Sequence, residues 1–249
     1  IRYLVVQVAS GVLLLAGAIL HYRSTGSLAF GSLNQVGAFT EHIGQAGVQL
    51  ILLSFAIKCA FPFLHNWLQD AYPKATATGT VFLSAFTTKL AVYTLIRGFA
   101  GFEPLIYVGV VMTLFPIFFA VVENDLRKVL AYSLNNQLGF MVVAVGVGSE
   151  MAINGACAHA FAHILYKALL FMSMGAVLHR VGTTKASQLG GLYRSMPVTA
   201  ICCIIGAASI SAFPLTSGFI SKALTLQGVI DAGHAWIWGG LLIASAGVM

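Results

Sequence analysis

Gln49-Leu-Ile-Leu-Leu-Ser-Phe-Ala-Ile-Lys58-Cys-Ala-Phe-Pro62 puts a lysine and a proline at the end of an apolar run long enough to enter a bilayer. Proline has no amide hydrogen to donate, and its ring clashes with the carbonyl four residues back, which here belongs to Lys58. The helix is therefore expected to loosen at the lysine and leave an acceptor beside an ammonium group. Irregular backbone at this depth survives only where protein buries it or where it lines a wet cavity. The plain alternative is a lysine whose stem lies along the apolar span while its head snorkels to the interface.

A related arrangement recurs downstream in Ser211-Ala-Phe-Pro214-Leu-Thr-Ser-Gly218-Phe-Ile-Ser-Lys222, where the breakers Pro214 and Gly218 precede the lysine. It lies within an apolar segment, 198–229, too long for one straight crossing. Two interrupted helices, each with a lysine near its break, point to the transport site of an inverted-repeat transporter.

Two further lysines sit inside apolar spans. Lys89 is near the middle of 76–97, with Thr87 and Thr88 beside it as possible solvating groups. Lys167 closes His159-Ala-Phe-Ala-His163-Ile-Leu-Tyr-Lys167, where spacing of four sets three polar side chains along one helix face. A charge at membrane depth costs at least ~2.5–3.5 kcal/mol on insertion scales, so four such lysines mark an ion path. Imidazoles exchange protons near neutral pH, which makes the His–His–Lys stripe a proton relay in chemical terms. Zinc is the rival ligand of paired histidines, but position 160 is alanine where the protease motif needs glutamate, and no metal is expected. Two structurally satisfied histidines are the bland reading. No Asp or Glu lies deep in a span, so no carboxylate within the chain is expected to hold these lysines charged.

Composition agrees: 59% of residues are hydrophobic, 8% are charged, and mean hydropathy is +0.91. Soluble domains carry roughly 25% charged residues, so the chain reads as an all-α polytopic membrane protein. The net charge of +6 is either buried or scattered over short loops, which excludes a nucleic-acid partner. Cys59, Cys157, Cys202 and Cys203 lie in apolar stretches without ligand spacing and read as small core residues. No cofactor is expected.

Seven complete spans and one truncated span are expected, at 3–20, 47–64, 76–97, 104–122, 130–148, 153–178, 198–229 and 236–249. Together they form one transmembrane domain over 1–249. Arg2, Lys74, Arg127, Lys128, Arg180, Lys185 and Arg194 share one side, whereas Arg23 and Arg97 lie on the other. That bias places the start of the chain and the 179–197 loop in the cytoplasm. Glu123-Asn-Asp125-Leu-Arg127-Lys128 is most simply a solvated turn, with contact to a neighbouring subunit as the alternative. His65, Trp67 and Asp70 read as caps and interface anchors. A chain that opens on Ile1 and ends within an apolar stretch at Met249 is expected to be part of a longer protein.

Lys58 to Gly79 (KCAFPFLHNWLQDAYPKATATG), the Lys89 helix, NDLRKVLAYSLNNQLGF at 124–140, HAFAHILYK at 159–167 and FPLTSGFISK at 213–222 occur in one order along the chain. Together they resemble the proton-translocating antiporter-like membrane subunits shared by respiratory complex I and multisubunit Mrp-type Na+/H+ antiporters. These segments are nearest to the Mrp-type subunit lettered D. The resemblance implies a fourteen-helix fold with two inverted five-helix repeats, of which this chain would hold helices six to thirteen. It implies that Lys58 and Lys222 are the lysines of the two broken helices and that Lys89 is the bridging lysine. His159, His163 and Lys167 would form the second half-channel connection. It also implies a glutamate upstream of Ile1 as the partner of Lys58. The expected function is proton translocation coupled to Na+ in a hetero-oligomeric complex of the inner (plasma) membrane, with other membrane subunits, lipid, H+ and Na+ as partners. Rival readings are a proton-pumping subunit of respiratory NADH:quinone oxidoreductase, a structural scaffold and a standalone solute carrier.

Overall fold

A computed structural model of the chain describes residues 1–29, 31, 33 and 46–247. Among these the structure is helical, with one isolated bridge between Asp125 and Lys185. The helices are α1 (Arg2–Thr25), α2 (Ala46–Lys58), α3 (Asn66–Ala71), α4 (Ala77–Phe99), α5 (Pro104–Val122), α6 (Leu126–Val147), α7 (Glu150–Val181), α8 (Pro197–Ile210), α9 (Ser217–Asp231) and α10 (Ala235–Ala246). Within α4, Leu83–Thr87 winds as a π turn.

Five helices, α1, α4, α5, α6 and α7, are long and apolar enough to cross a membrane. They correspond to the unbroken spans expected from the sequence. The segment 198–229 is divided into α8 and α9, whereas 47–64 holds α2 and the break after it, with α3 starting beyond the segment. The expected last span begins as α10, and its final two residues lie outside the described residues.

Local chemistry sets the boundaries. Asp125 caps α6 by accepting from the Arg127 amide at 2.9 Å, and the helix ends at Gly148, left-handed with φ 68°. Ser149 then caps α7, so one turn reverses the chain between two long helices. The 32 residues of α7 span about 48 Å at 1.5 Å per residue, more than a bilayer core of ~30 Å.

Packing centres on α6, which is far more enclosed than α1. Glycines let α5 and α6 meet backbone to backbone. A Cβ on Gly109 would stand 2.6 Å from the Val143 amide, and one on Gly139 would stand 2.6 Å from that of Thr113. Apolar burial drives little association inside lipid, so such close approach is the stabilising term. A buried cluster around Phe55, Trp67, Leu95, Leu134 and Phe171 joins α2, α3, α4, α6 and α7. Leu4, Val8, Val12 and Leu15 of α1 remain exposed.

The 123–128 turn is more than a solvated connection. Asn124 and Asp125 dock on the 183–188 loop: Asp125 accepts from the Thr184 hydroxyl at 2.8 Å, and Asn124 donates to Ser187 Oγ at 2.9 Å. Arg127 is buried and donates to the Ala75 carbonyl (2.8 Å) and Thr80 Oγ1 (2.6 Å), which ties α6 to the start of α4.

Candidate functional site

The two breaks have the same backbone. In the first, Ala60 is left-handed at φ 58°, the Ala60 amide donates to Ile57 O, and the Phe61 amide reaches back to Ala56 O. In the second, Ala212 is left-handed at φ 58°, the Ala212 amide donates to Ser209 O, and the Phe213 amide reaches back to Ala208 O. Phe63 and Leu215, each three residues on, are left-handed as well. This is a Schellman-type stop built on Ala-Phe-Pro in both places, so each helix ends before its proline. The first helix therefore stops at Lys58, the residue at which the proline led loosening to be expected. Gly218 lies inside α9, where its missing side chain lets the new helix press against the Ser209 carbonyl oxygen.

Loose ends at the breaks are tied by side chains. Trp67 is buried and donates Nε1–H to the Ile57 carbonyl at 3.0 Å. Lys222 sits past its break and reaches back across it, donating to the Ile210 carbonyl at 2.8 Å and to Ser245 Oγ at 3.1 Å. The lysine thereby caps the C-terminal end of α8, where the helix dipole favours a cation. Tyr72 donates to the Leu83 carbonyl at the π turn, at 2.9 Å, and burial pushes its phenol further up, which keeps it a donor.

Lys89, Lys167 and Lys222 are buried, as are His159 and His163. Lys89 donates to the Ser84 carbonyl within the π turn (2.6 Å) and to Thr88 Oγ1 (3.3 Å). Lys167 donates to Ser133 Oγ at 2.6 Å and lies over the Phe171 ring. Phe140 lies between two of these groups, its ring centroid 5.3 Å from Lys222 Nζ and 6.0 Å from the His159 ring. Lys58 stands apart, half-buried, and donates to Gln7 Oε1 of α1 at 3.1 Å.

No carboxylate serves any of these lysines among the described residues, where the ion pairs are Arg2–Asp70 and Lys128–Glu123 near the surface. The lysines are nevertheless partnered. Thr88, expected from the sequence beside Lys89, supplies one acceptor, and backbone carbonyls, serines and a glutamine supply the others.

His159 joins two helices. Its Nδ1 lies 2.9 Å from Ser221 Oγ of α9, and its Nε2 lies 3.1 Å from Gln137 Oε1 of α6. Gln137 Nε2 donates to Asn136 Oδ1, Asn136 Nδ2 donates to the Thr113 carbonyl at 2.6 Å, and the Tyr166 hydroxyl also donates to Gln137 Oε1. Neither ring nitrogen of buried His163 has a hydrogen-bond partner among the described residues, and its ring stands 6.1 Å from that of His159. No group of three or more metal-ligating side chains occurs among the described residues. Gln137, Asn136, Ser133, Ser221 and Ser245 were not expected from the sequence to take part. For the first three the signal was the polar cluster Ser133, Asn135, Asn136 and Gln137 within an apolar span.

Broken helices and apolar helices long enough to cross a bilayer mark a multi-pass membrane protein. The chain belongs to the NADH:quinone oxidoreductase/Mrp antiporter transmembrane family, which it matches over residues 1–246. It is 31% identical to the NADH-quinone oxidoreductase subunit lettered N of Desulforudis audaxviator, over 99% of this chain and 52% of that relative. It is also 31% identical to the Na(+)/H(+) antiporter subunit lettered D of Alkalihalophilus pseudofirmus, over 94% of this chain and 50% of that one. The chain thus spans about half the length of these curated relatives. Its fold superposes on a chain of the Mrp complex from Dietzia sp. DQ12-45-1b with a TM-score of 0.88 at 28% identity, covering 99% of this chain and 47% of that chain. A chain of Thermus thermophilus respiratory complex I shares the fold, with a TM-score of 0.81 at 24% identity, covering 99% of this chain and 56% of that chain.

Proposed function

We propose that this chain is a proton-translocating subunit of a multisubunit Na+/H+ antiporter, acting with other membrane subunits of the plasma membrane. The observation that carries this reading is the set of three buried lysines held, among the described residues, by neutral acceptors. A carboxylate would lock an ammonium group in its charged form, whereas carbonyl and hydroxyl acceptors let each lysine lose and regain a proton. Protons pass between Lys58, Lys89 and the His163 and Lys167 group to Lys222 through transient water, with His159 exchanging its proton on the Lys222 side. The charge state of each site changes that of its neighbours, so the set titrates as a coupled system. His163, without a fixed partner, is free to exchange a proton with transient water. The start of the chain and the 179–197 loop face the cytoplasm.

Lys89→Ala in the intact complex is expected to abolish transport driven by a pH gradient in membrane vesicles, with assembly retained. Unchanged antiport would sink the relay. A second reading, the same path inside a respiratory NADH:quinone oxidoreductase, draws support from the Desulforudis audaxviator relative. Co-purifying subunits separate the two: redox-centre proteins favour the second, and further antiporter subunits favour the first.

A further inference from the structure

We infer that a carbonyl on α5 sets the tautomer of His159, and that Gln137 is the positioning residue through which it acts. The inference rests on the proton path proposed above, because only there does the direction of an imidazole matter for function.

One group in this hydrogen-bonded series cannot change role. The Thr113 carbonyl is an acceptor, so the Asn136 side chain within 2.6 Å must present its NH2 group to it. The Asn136 oxygen then points the other way, toward Gln137, and can only accept. Gln137 must therefore turn its own NH2 toward Asn136 and its Oε1 toward His159 and Tyr166. An amide oxygen only accepts, so His159 Nε2 carries the hydrogen. A neutral imidazole carries one, which leaves Nδ1 as a bare lone pair facing Ser221 Oγ at 2.9 Å. The Ser221 hydroxyl accordingly donates to His159 instead of to the Gly218 carbonyl at 3.3 Å. Reversing any one amide would set two oxygens or two NH2 groups face to face. All the side chains concerned are buried, so water cannot relieve the mismatch.

The consequence is directional. The accepting nitrogen of His159 faces α9, the helix that carries Lys222. A proton that arrives there forms an imidazolium whose Nε2–H still donates to Gln137, and the amide can pass nothing on. Gln137 thus closes the α6 side of the ring and leaves the Lys222 side open.

The test is nitrogen NMR of the intact complex with 15N-labelled histidine, the His159 resonances being assigned by their loss in His159→Ala. The expected result is neutral His159 with hydrogen on Nε2, in at least about tenfold excess over the other tautomer. A dominant Nδ1–H form, or an imidazolium at neutral pH, overturns the inference in the wild-type spectrum alone. In Gln137→Met the excess is expected to reverse toward Nδ1–H, donated to Ser221, and in Asn136→Leu to fall toward parity. An Nε2–H excess that persists in both variants overturns the role of Gln137. Full transport in Lys222→Ala would instead defeat the proton path and leave the tautomer assignment standing.

Discussion

Gly218→Ala tests whether the second break works as a docked pair of half-helices. An ideal Cβ at this position would overlap the Ser209 carbonyl oxygen and lie 2.9 Å from its carbon. Both atoms are backbone, so no rotamer change relieves the clash, and α9 must move away from the end of α8. Overpacking of this kind costs ~1–3 kcal/mol. The same displacement stretches the 2.8 Å bond from Lys222 to the Ile210 carbonyl, and a hydrogen bond involving a charged group is worth ~1.5–3 kcal/mol. One movement causes both losses, so they overlap, and a total on the order of 3 kcal/mol is expected. That is roughly a hundredfold fall in the ratio of docked to undocked half-helices. Proton uptake by vesicles containing the assembled complex should fall, by up to that factor, with the amount of complex checked on a native gel. Gly240→Ala is the control, because a Cβ there meets nothing within 4 Å, and a neutral or slightly stabilising effect is expected. Wild-type transport and thermal midpoint in Gly218→Ala would refute the reasoning.

Trp67→Phe keeps the packing against Tyr3 and Tyr72 but removes the donor to the Ile57 carbonyl, so a loss of ~1–3 kcal/mol is expected as a lower thermal midpoint of the complex. A midpoint equal to wild type would mean that this carbonyl needs no cap. Arg127→Met leaves the Ala75 carbonyl and the Thr80 hydroxyl without their buried donor, and ~2–4 kcal/mol of destabilisation is expected. Lys128→Met, which removes only the exposed pair with Glu123, should change the same midpoint by under ~1 kcal/mol. Equal effects of the two substitutions would contradict the burial argument.

Pro62 and Pro214 announced two breaks, and the breaks are present, but each helix stops ahead of its proline. Hydropathy cannot locate such a stop, because the left-handed turns at Ala60 and Ala212 are held by amides that reach back three and five residues. The spacing of His159, His163 and Lys167 placed them on one face of a helix, but nothing in that spacing distinguishes partnered His159 from unpartnered His163. The difference comes from α6 and α9, which bring Gln137 and Ser221 to one ring and not to the other. Likewise, Thr88 beside Lys89 was readable from the sequence, whereas the carbonyl, serine and glutamine acceptors were not.

The sequence by itself determined that this chain is a membrane protein with lysines inside its apolar segments, interrupted helices and the motifs of one family of membrane subunits. These properties depend on composition, local periodicity and proline chemistry, which act over a few residues. Only the tertiary structure decided which groups meet: Lys222 with the carbonyl that its own break exposes, Lys167 with Ser133, and His159 with an amide chain anchored on Thr113. A hydrogen bond needs its atoms within about 3 Å. Across helices such proximity is set by glycine-lined contacts between segments far apart in the chain, so no local pattern encodes it.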